Sequence, residues 1–184
     1  MYKTYKIYKP FGVLSQFTKE HESHQVLGDL FDFPKDVYPI GRLDKDSEGL
    51  LLLSNDKSLT DKLLNPKHKL AKTYWVQVEG SLTEEALQQL SAGVTIKVKT
   101  GKYHDTLPCE VSIIDAPLIP ERDPPIRERK TVPTTWASIT ISEGKNRQVR
   151  KMFAKVGFPV LRLVRYAIGE TSIDGMDVGE VVSV

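Results

Sequence analysis

The sequence predicts an α+β fold built on a mixed and mainly antiparallel central sheet, with helices and long loops around it. Segments in which apolar and polar residues alternate, a pattern typical of strands, outnumber the segments with a helical period. Strand and helix patterns do not alternate strictly along the chain, which disfavours a doubly wound parallel sheet. Five prolines between Pro117 and Pro133 predict one long irregular loop.

The first part of the chain predicts two strands and two helices. The strands are indicated by side chains that alternate between apolar and polar, and the helices by residues that can cap their first turns. The predicted elements are strands over residues 3–10 and 74–79, a helix from Asn55 or Asp56 to Leu64, and a helix over Gly49–Leu53 that Asp46 or Ser47 can cap.

The second part of the chain predicts further strands and two helices. Ser81 or Thr83 can begin a helix whose first turn is acidic and which Gly93 ends. The remaining predicted elements are strands within residues 94–114 around a turn at Gly101, a strand over 135–142, a helix over 146–156, and strands over 160–164 and 180–184.

The basic residues are concentrated in one part of the sequence. The formal net charge is +2, yet residues 143–165 contain seven basic residues and one acid, so they carry +6 and the rest of the chain −4. A positive stripe on a slightly acidic protein is typical of proteins that bind a polyphosphate such as RNA, because each neutralised phosphate releases counterions. The alternative is a solvated helix face without a ligand.

Length and composition predict a single domain over residues 1–184, with room for two small lobes and a cleft between them. The longest purely aliphatic run, Leu50–Leu53, is too short to span a bilayer, and the start lacks the pattern of a signal peptide. Cys109 is the single cysteine, which excludes an intramolecular disulfide and fits a reducing compartment. We therefore expect a soluble cytoplasmic protein that does not bind a membrane.

Asp44 is the most informative candidate for chemistry, within the segment Gly41–Leu50 (GRLDKDSEGL). A calcium loop is one interpretation, but the twelfth position from Asp44 is Asn55, where an EF-hand needs a bidentate glutamate. A magnesium-dependent phosphotransferase with Asp44 as nucleophile is another. Arg42 weakens that interpretation, because it interrupts the apolar strand that such a motif normally ends.

Three motifs follow one another along the chain: Gly41–Leu50, Lys72-Thr73-Tyr74 and Gly144–Arg150. Together they resemble the catalytic motifs of the pseudouridine synthases. The run Glu143–Gly169 is similar to the branch of that family that modifies ribosomal RNA. Residues 7–18 (IYKPFGVLSQFT) and 124–136 (PPIRERKTVPTTW) are similar to members that act on the large ribosomal subunit, so the similarity covers nearly the whole chain.

The resemblance implies the pseudouridine synthase fold and an isomerase that acts on a uridine of large-subunit ribosomal RNA, with domain V as the region. The base leaves C1′ through N1 and rejoins through C5, which requires no redox cofactor, ATP or metal. The sequence agrees, since it lacks CxxC, HExxH and a glycine-rich phosphate loop. Many members carry a small RNA-binding domain before the catalytic part, but a strand pattern already begins at Lys3. We expect no such domain, and we expect a monomer.

The resemblance also implies three catalytic residues. Asp44 would break the glycosidic bond, as nucleophile or as base. Tyr74 shares a strand face with Val76 and is a core aromatic by pattern alone, whereas the resemblance implies that it stacks on the target base. Arg150 lies at the edge of the apolar face of the predicted helix, where a cation can keep a semi-buried aspartate ionised. The resemblance implies that pairing, and a structural salt bridge is the alternative.

Basic residues predict the contacts with RNA. Arg42 is placed either to fill the gap left by an extruded uridine or to contact a phosphate. The predicted helix turns Arg147, Lys151 and Lys155 away from the core. The full set is Arg42, Lys72, Lys145, Arg147, Lys151, Lys155, Arg162 and Arg165. A non-catalytic RNA-binding module is the remaining alternative, but it would have no reason to keep the acid, the tyrosine and the arginine of the three motifs.

Overall fold

The computed structural model describes residues 1–127 and 129–184. Its contacts divide the chain into two compact units. The first unit is formed by Met1–Leu70 together with Val164–Val184, and the second by Ala71–Leu163. None of the helices in the described ranges is long and apolar enough to cross a membrane.

The strands are β1 (Thr4–Lys9), β2 (Val13–Leu14), β3 (Gln25–Val26), β4 (Tyr38–Pro39), β5 (Glu48–Ser54), β6 (Lys72–Glu79), β7 (Thr95–Lys99), β8 (Lys102–Asp105), β9 (Glu110–Ile114), β10 (Thr134–Ile141), β11 (Val160–Ile168), β12 (Thr171–Ser172) and β13 (Val181–Ser183). The α-helices are α1 (Lys57–Leu64), α2 (Glu84–Ala92) and α3 (Gln148–Lys155). Short 3-10 helices cover Leu27–Asp29 and Pro66–His68. The α+β class is therefore confirmed.

Strand β5 is the centre of the sheet in the first unit. It pairs antiparallel with β1 and β4 and parallel with β11, while β13 extends the sheet from β1. Every residue of β5 is buried. A strand covered on both faces has a continuous apolar run instead of an alternating one, and a run this short is typical of such a strand. The helix predicted over Gly49–Leu53 is therefore wrong, and the mixed sheet is confirmed.

Gly49 allows β5 and β11 to approach each other closely. It is the register partner of Arg165 and has a φ of +109°, a conformation that L side chains rarely adopt. A Cβ at this position would collide with the main-chain nitrogen and oxygen of Arg165. The sheet itself therefore requires glycine at this point of the segment that carries Asp44.

The core of the first unit combines aliphatic and aromatic side chains. The rings of Tyr5, Phe17, Phe31 and Phe33 meet in tilted or edge-to-face pairs, with centroids 4.8 to 5.7 Å apart. The buried aliphatic residues of the cluster against which these rings pack are Ile7, Val13, Leu27, Val37, Leu43, Leu51 and Leu53.

Helices α1 and α2 begin and end at residues that the sequence predicts. Asp56 caps α1, since its carboxylate accepts hydrogen bonds from two main-chain N–H groups of the first turn, and Asn65 follows the last turn. Thr83 caps α2 through the N–H of Ala86, and Gly93 ends that helix. Local capping chemistry thus sets the bounds of both helices.

The sheet of the second unit is antiparallel, with β10 between β6 and β9, and β7 and β8 form a hairpin around Gly101. The described residues between β9 and β10, 115–127 and 129–133, form no helix or strand, as their prolines predict. Position 128 of the segment 124–136 lies outside the described residues. The core contains Val76, Val78, Leu82, Ala86, Leu90, Ile96, Ala137, Ile139, Ile141, Val149, Met152, Phe153 and Leu163.

Candidate active site

Asp44 lies in the first unit, in the loop between β4 and β5. The residue is half-buried, and the N–H of Ser47 donates to the Asp44 carbonyl at 3.0 Å, which closes a turn over residues 44–47. Strands flank this loop on both sides, whereas an EF-hand needs helices there. The calcium interpretation is therefore excluded.

The main chain is fixed on both sides of Asp44. Before it, the hydroxyl of Ser15 donates to the carbonyl of Leu43 at 2.7 Å and accepts from the N–H of Leu43 at 3.1 Å. After it, the carbonyl of Lys45 accepts from the N–H of Gly12 at 2.8 Å and from Nζ of Lys9 at 3.4 Å. A loop held in this way keeps the main chain at Asp44 in one position before any substrate arrives.

Lys9 supplies a buried ammonium group in the same region. Its residue is 0% exposed, and Nζ also donates to the carbonyls of Pro10 at 2.9 Å and Val13 at 2.8 Å. Burial lowers the pKa of Lys9 to about 7, although the negative charges of Glu48, Asp46 and Asp44 oppose that fall. Lys9 therefore acts electrostatically on Asp44 and changes charge near neutral pH.

Sequence reasoning missed both Lys9 and Ser15. Lys9 stands two residues after Ile7, on the face of β1 that the alternation predicts to be apolar, and this misplaced charge was the available signal. Ser15 gave no signal, because a serine in a loop is ordinary and its partner Leu43 lies far along the chain.

Tyr74 lies in the second unit, in β6, opposite Ile139 of β10. It is half-buried and packs against the core that contains Val76 and Val78, so the strand face predicted from the sequence is confirmed. A half-buried aromatic ring with a polar tip can pack on the core and still contact a base.

Helix α3 carries the third motif, and it begins later than the sequence predicts. Val149, Met152 and Phe153 are buried, as the helical period requires, and Arg150 is half-buried beside them. Arg147, however, precedes the helix in a left-handed conformation with φ 51° and ψ 36°. Its exposure is therefore set by this turn and not by the helical period on which the prediction rested.

The basic residues of the third motif differ in accessibility. Lys145, Arg147 and Lys155 are exposed, and Lys151 is half-buried. Lys72 of β6 is also half-buried, and its Nζ donates to the carbonyl of Glu143 at 2.6 Å. Lys72 thus stabilises the start of the motif from within the second unit. In the first unit, Arg42 is exposed.

Arg162 and Arg165 do not belong to an exposed stripe, which corrects the sequence prediction. Arg162 is 5% exposed, lies 6.0 Å from the ring centre of Trp136, and donates to the carbonyl of Pro120 at 3.0 Å. Arg165 is 7% exposed and donates from Nε to the carbonyl of Leu50 at 2.8 Å. Both guanidinium groups are buried and donate to main-chain carbonyls, so they stabilise the fold.

Within the described ranges, no group of three or more His, Cys, Asp or Glu side chains is arranged to hold a metal ion. Burial raises the pKa of Cys109 to about 11, so this thiol is protonated at neutral pH. Its Sγ donates to the carbonyl of Leu90 at 3.3 Å. Cys109 is therefore an inert residue of the second unit.

Comparison with known proteins identifies the family. The family model described as RNA pseudouridylate synthase matches residues 3–155. The chain belongs to this family. The ribosomal large subunit pseudouridine synthase E of Vibrio parahaemolyticus is 51% identical over 172 residues, which are 94% of this chain and 69% of that relative. Its namesake from Xanthomonas axonopodis is 50% identical over 169 residues, 91% of this chain and 86% of the relative.

A solved structure supports the same assignment. A crystal structure described as a pseudouridylate synthase covers 100% of this chain and 70% of its own, with a TM-score of 0.80 at 25% identity. Family membership confirms the pseudouridine synthase fold, and the chain is an isomerase that converts uridine in RNA to pseudouridine. The phosphotransferase and the non-catalytic module are therefore set aside.

Proposed function

We propose that this pseudouridine synthase modifies one specific uridine of large-subunit ribosomal RNA, in domain V. Two relatives that are about 50% identical to this chain are named as large-subunit enzymes, which supports this substrate. Residues 7–18 and 124–136 support it too, since they resemble large-subunit enzymes. We further propose that the protein works in the cytoplasm, as a monomer and as a single catalytic domain.

Asp44 is the group that we propose to break the glycosidic bond. The C1′–N1 bond breaks, the base turns, and a C1′–C5 bond forms; C5 then loses a proton and N1 gains one, so no atom enters or leaves overall. A carboxylate can start this either by attacking C1′ or by removing the C2′ proton to give a glycal. Both routes need ionised Asp44, and the fixed loop around it is the observation that carries the proposal.

Arg150 and Tyr74 are the other catalytic residues that we propose. A half-buried carboxylate tends to become protonated unless a cation stabilises its charge, and we assign that task to Arg150 in the reacting complex. Tyr74 stacks on the uracil ring while it is detached from the ribose. Their matches to the family motifs and their half-buried places on α3 and β6 support both roles.

The exposed and half-buried cations of both units are the groups that we propose to contact RNA. Each one that meets a phosphate releases counterions and adds to the salt dependence of binding. Arg42 also fills the space that the extruded uridine leaves. The set is Arg42, Lys145, Arg147, Lys151 and Lys155. Lys72 joins the set, since its hydrogen bond to the Glu143 carbonyl places it next to the third motif.

The experiment that tests this function maps pseudouridines in ribosomal RNA from cells with and without the gene. One position of the large subunit should carry uridine in the deletion strain and pseudouridine again when the wild-type gene is returned. The purified protein should modify the same position in a transcript of that RNA. A change confined to small-subunit or transfer RNA would show that the proposed substrate is wrong.

A further inference from the structure

A network of polar side chains supports the third motif from inside the second unit. The carboxylate of Glu143 accepts hydrogen bonds from His104 Nε2 at 2.5 Å, from the N–H of Leu107 at 3.0 Å and from Gln148 Nε2 at 2.8 Å. The Glu143 side chain is 9% exposed, and Gln148 is 3% exposed. The donors come from β8, from the segment after it and from the first residue of α3.

The same network closes the turn between β10 and α3. Gln148 Oε1 accepts from the N–H of Lys145 at 3.1 Å, and the N–H of Gln148 donates back to the Lys145 carbonyl at 3.1 Å. At the other end of the turn, Lys72 Nζ donates to the Glu143 carbonyl. The residues between these anchors, 144–147, are all exposed and have no core packing of their own to fix them.

The charge of Glu143 argues against a passive role. Burial alone would raise the pKa of Glu143, but the hydrogen bonds from His104, Leu107 and Gln148 lower it below its ordinary value, so the group is ionised at neutral pH. It is the single acid in the segment 143–165, which also contains seven basic residues. A surface selected only for attraction to phosphate would be stronger without this negative charge, so its presence needs another reason.

We propose that Glu143 and Gln148 are positioning residues, whose mutual hydrogen bond holds the turn 144–147 and the first turn of α3 so that Arg147 meets RNA and Arg150 is correctly oriented for catalysis. This inference rests on the roles proposed above for the two arginines. The pair touches neither substrate nor reacting atoms, and acts through the turn that it closes. Because both members are nearly buried, losing the match between donor and acceptor cannot be repaired by water.

The test exchanges the two side chains. Gln148→Glu places two carboxylates in contact and should break the pair, whereas Glu143→Gln combined with Gln148→Glu restores an amide and a carboxylate with their places reversed. Binding of a large-subunit ribosomal RNA transcript and turnover at saturating RNA are measured below the unfolding temperature of every variant. Gln148→Glu should raise Kd and lower kcat by about tenfold each. The double variant should recover part of both losses, because it restores the hydrogen bond between the two side chains but turns an amide NH2 towards the Leu107 N–H.

A matched control separates position from charge. Gln89→Glu makes the same substitution, and adds the same negative charge, at an exposed position of α2. It should leave kcat unchanged and alter Kd only at low salt, whereas the loss caused by Gln148→Glu should persist at high salt. If Gln148→Glu does not fold, Gln148→Met, which lacks both donor and acceptor, takes its place as the single variant.

Two results would overturn the inference. One is a drop in thermal stability with kcat and Kd within about twofold of wild type, which would make the pair structural only. The other is a double variant as impaired as Gln148→Glu. Hydrogen exchange at the Leu107 amide, which should become faster in the single variant, reports on the network without using activity. If the wild type modifies no uridine, yet the Leu107 amide still exchanges faster in Gln148→Glu, the proposed function is wrong while the inferred hydrogen-bond network is supported.

Discussion

Lys9→Met tests the electrostatics beside Asp44, because methionine keeps the length of the side chain and removes its charge. The substitution leaves the carbonyls of Pro10 and Val13 without this donor, and the unsatisfied buried carbonyl of Val13 costs about 1–3 kcal/mol. It also removes the cost of burying an ammonium. The fall of the Lys9 pKa from 10.5 to about 7 corresponds to about 5 kcal/mol. Near pH 7 these effects oppose each other.

The pH dependence of the unfolding free energy separates the lost hydrogen bonds from the removed cost of burying the ammonium group. The unfolded chain keeps the proton of Lys9 up to about pH 10.5, while the folded protein releases it near pH 7, so the folded state binds fewer protons between these values. The free energy of unfolding of the wild type should therefore rise relative to Lys9→Met as pH increases. From pH 7 to pH 9 we expect a relative gain of about 2 kcal/mol.

The assay is urea denaturation of both proteins at pH 6, 7, 8 and 9 and constant ionic strength. The difference between the two free energies cancels the other groups that titrate in this range. A difference that stays constant across these pH values would refute the reasoning, since it would mean that Lys9 remains charged in the folded protein.

The remaining substitutions address the sheet, the Asp44 loop and the two arginines. Gly49→Ala should lower the free energy of unfolding, measured in urea, by about 3 kcal/mol or more. Gly175 has a φ of +74°, but no atom beyond its chain neighbours lies within 4 Å of the position that a Cβ would take, so Gly175→Ala should cost only about 1 kcal/mol. Equal effects would disprove the close approach of β5 and β11 at Gly49. Ser15→Ala should lower kcat while Kd for RNA stays the same, and an unchanged kcat would show that the loop does not need this clamp. Arg147→Ala should reduce the log–log salt slope of RNA binding by about one, and Arg150→Ala should instead lower kcat and move the acidic limb of its pH profile upward. An exchange of these two phenotypes would assign the catalytic role to Arg147.

The elements that follow local rules were predictable from the sequence. The caps Asp56 and Thr83 give the starts of α1 and α2, and the alternation of side chains gives β6 and β10. Strand β5 was misassigned, because a short apolar run covered on both faces has no period that separates strand from helix. Strands β2, β3, β4 and β12, of two residues each, are too short for alternation to be visible.

The candidate site was predictable only in its motifs. Asp44, Tyr74 and Arg150 follow from resemblance, and the structure then adds what holds them. Arg162 and Arg165 were placed at the surface because charge alone says nothing about burial, whereas β11 turns them towards main-chain carbonyls. Ser15 and Glu143 interact with partners distant in sequence, and such contacts leave no local pattern, whereas Lys9 left only its misplaced charge on β1.

The most direct measurement of the central claim is the pseudouridine formed by purified Asp44→Asn on large-subunit ribosomal RNA, with the RNA affinity measured alongside. Asparagine keeps the shape of the side chain and removes the carboxylate, so product should fall to background while Kd stays within about twofold of wild type. Asp46→Asn, two residues further in the same turn, should retain most activity. Product well above background from Asp44→Asn would contradict the role of Asp44 in breaking the glycosidic bond.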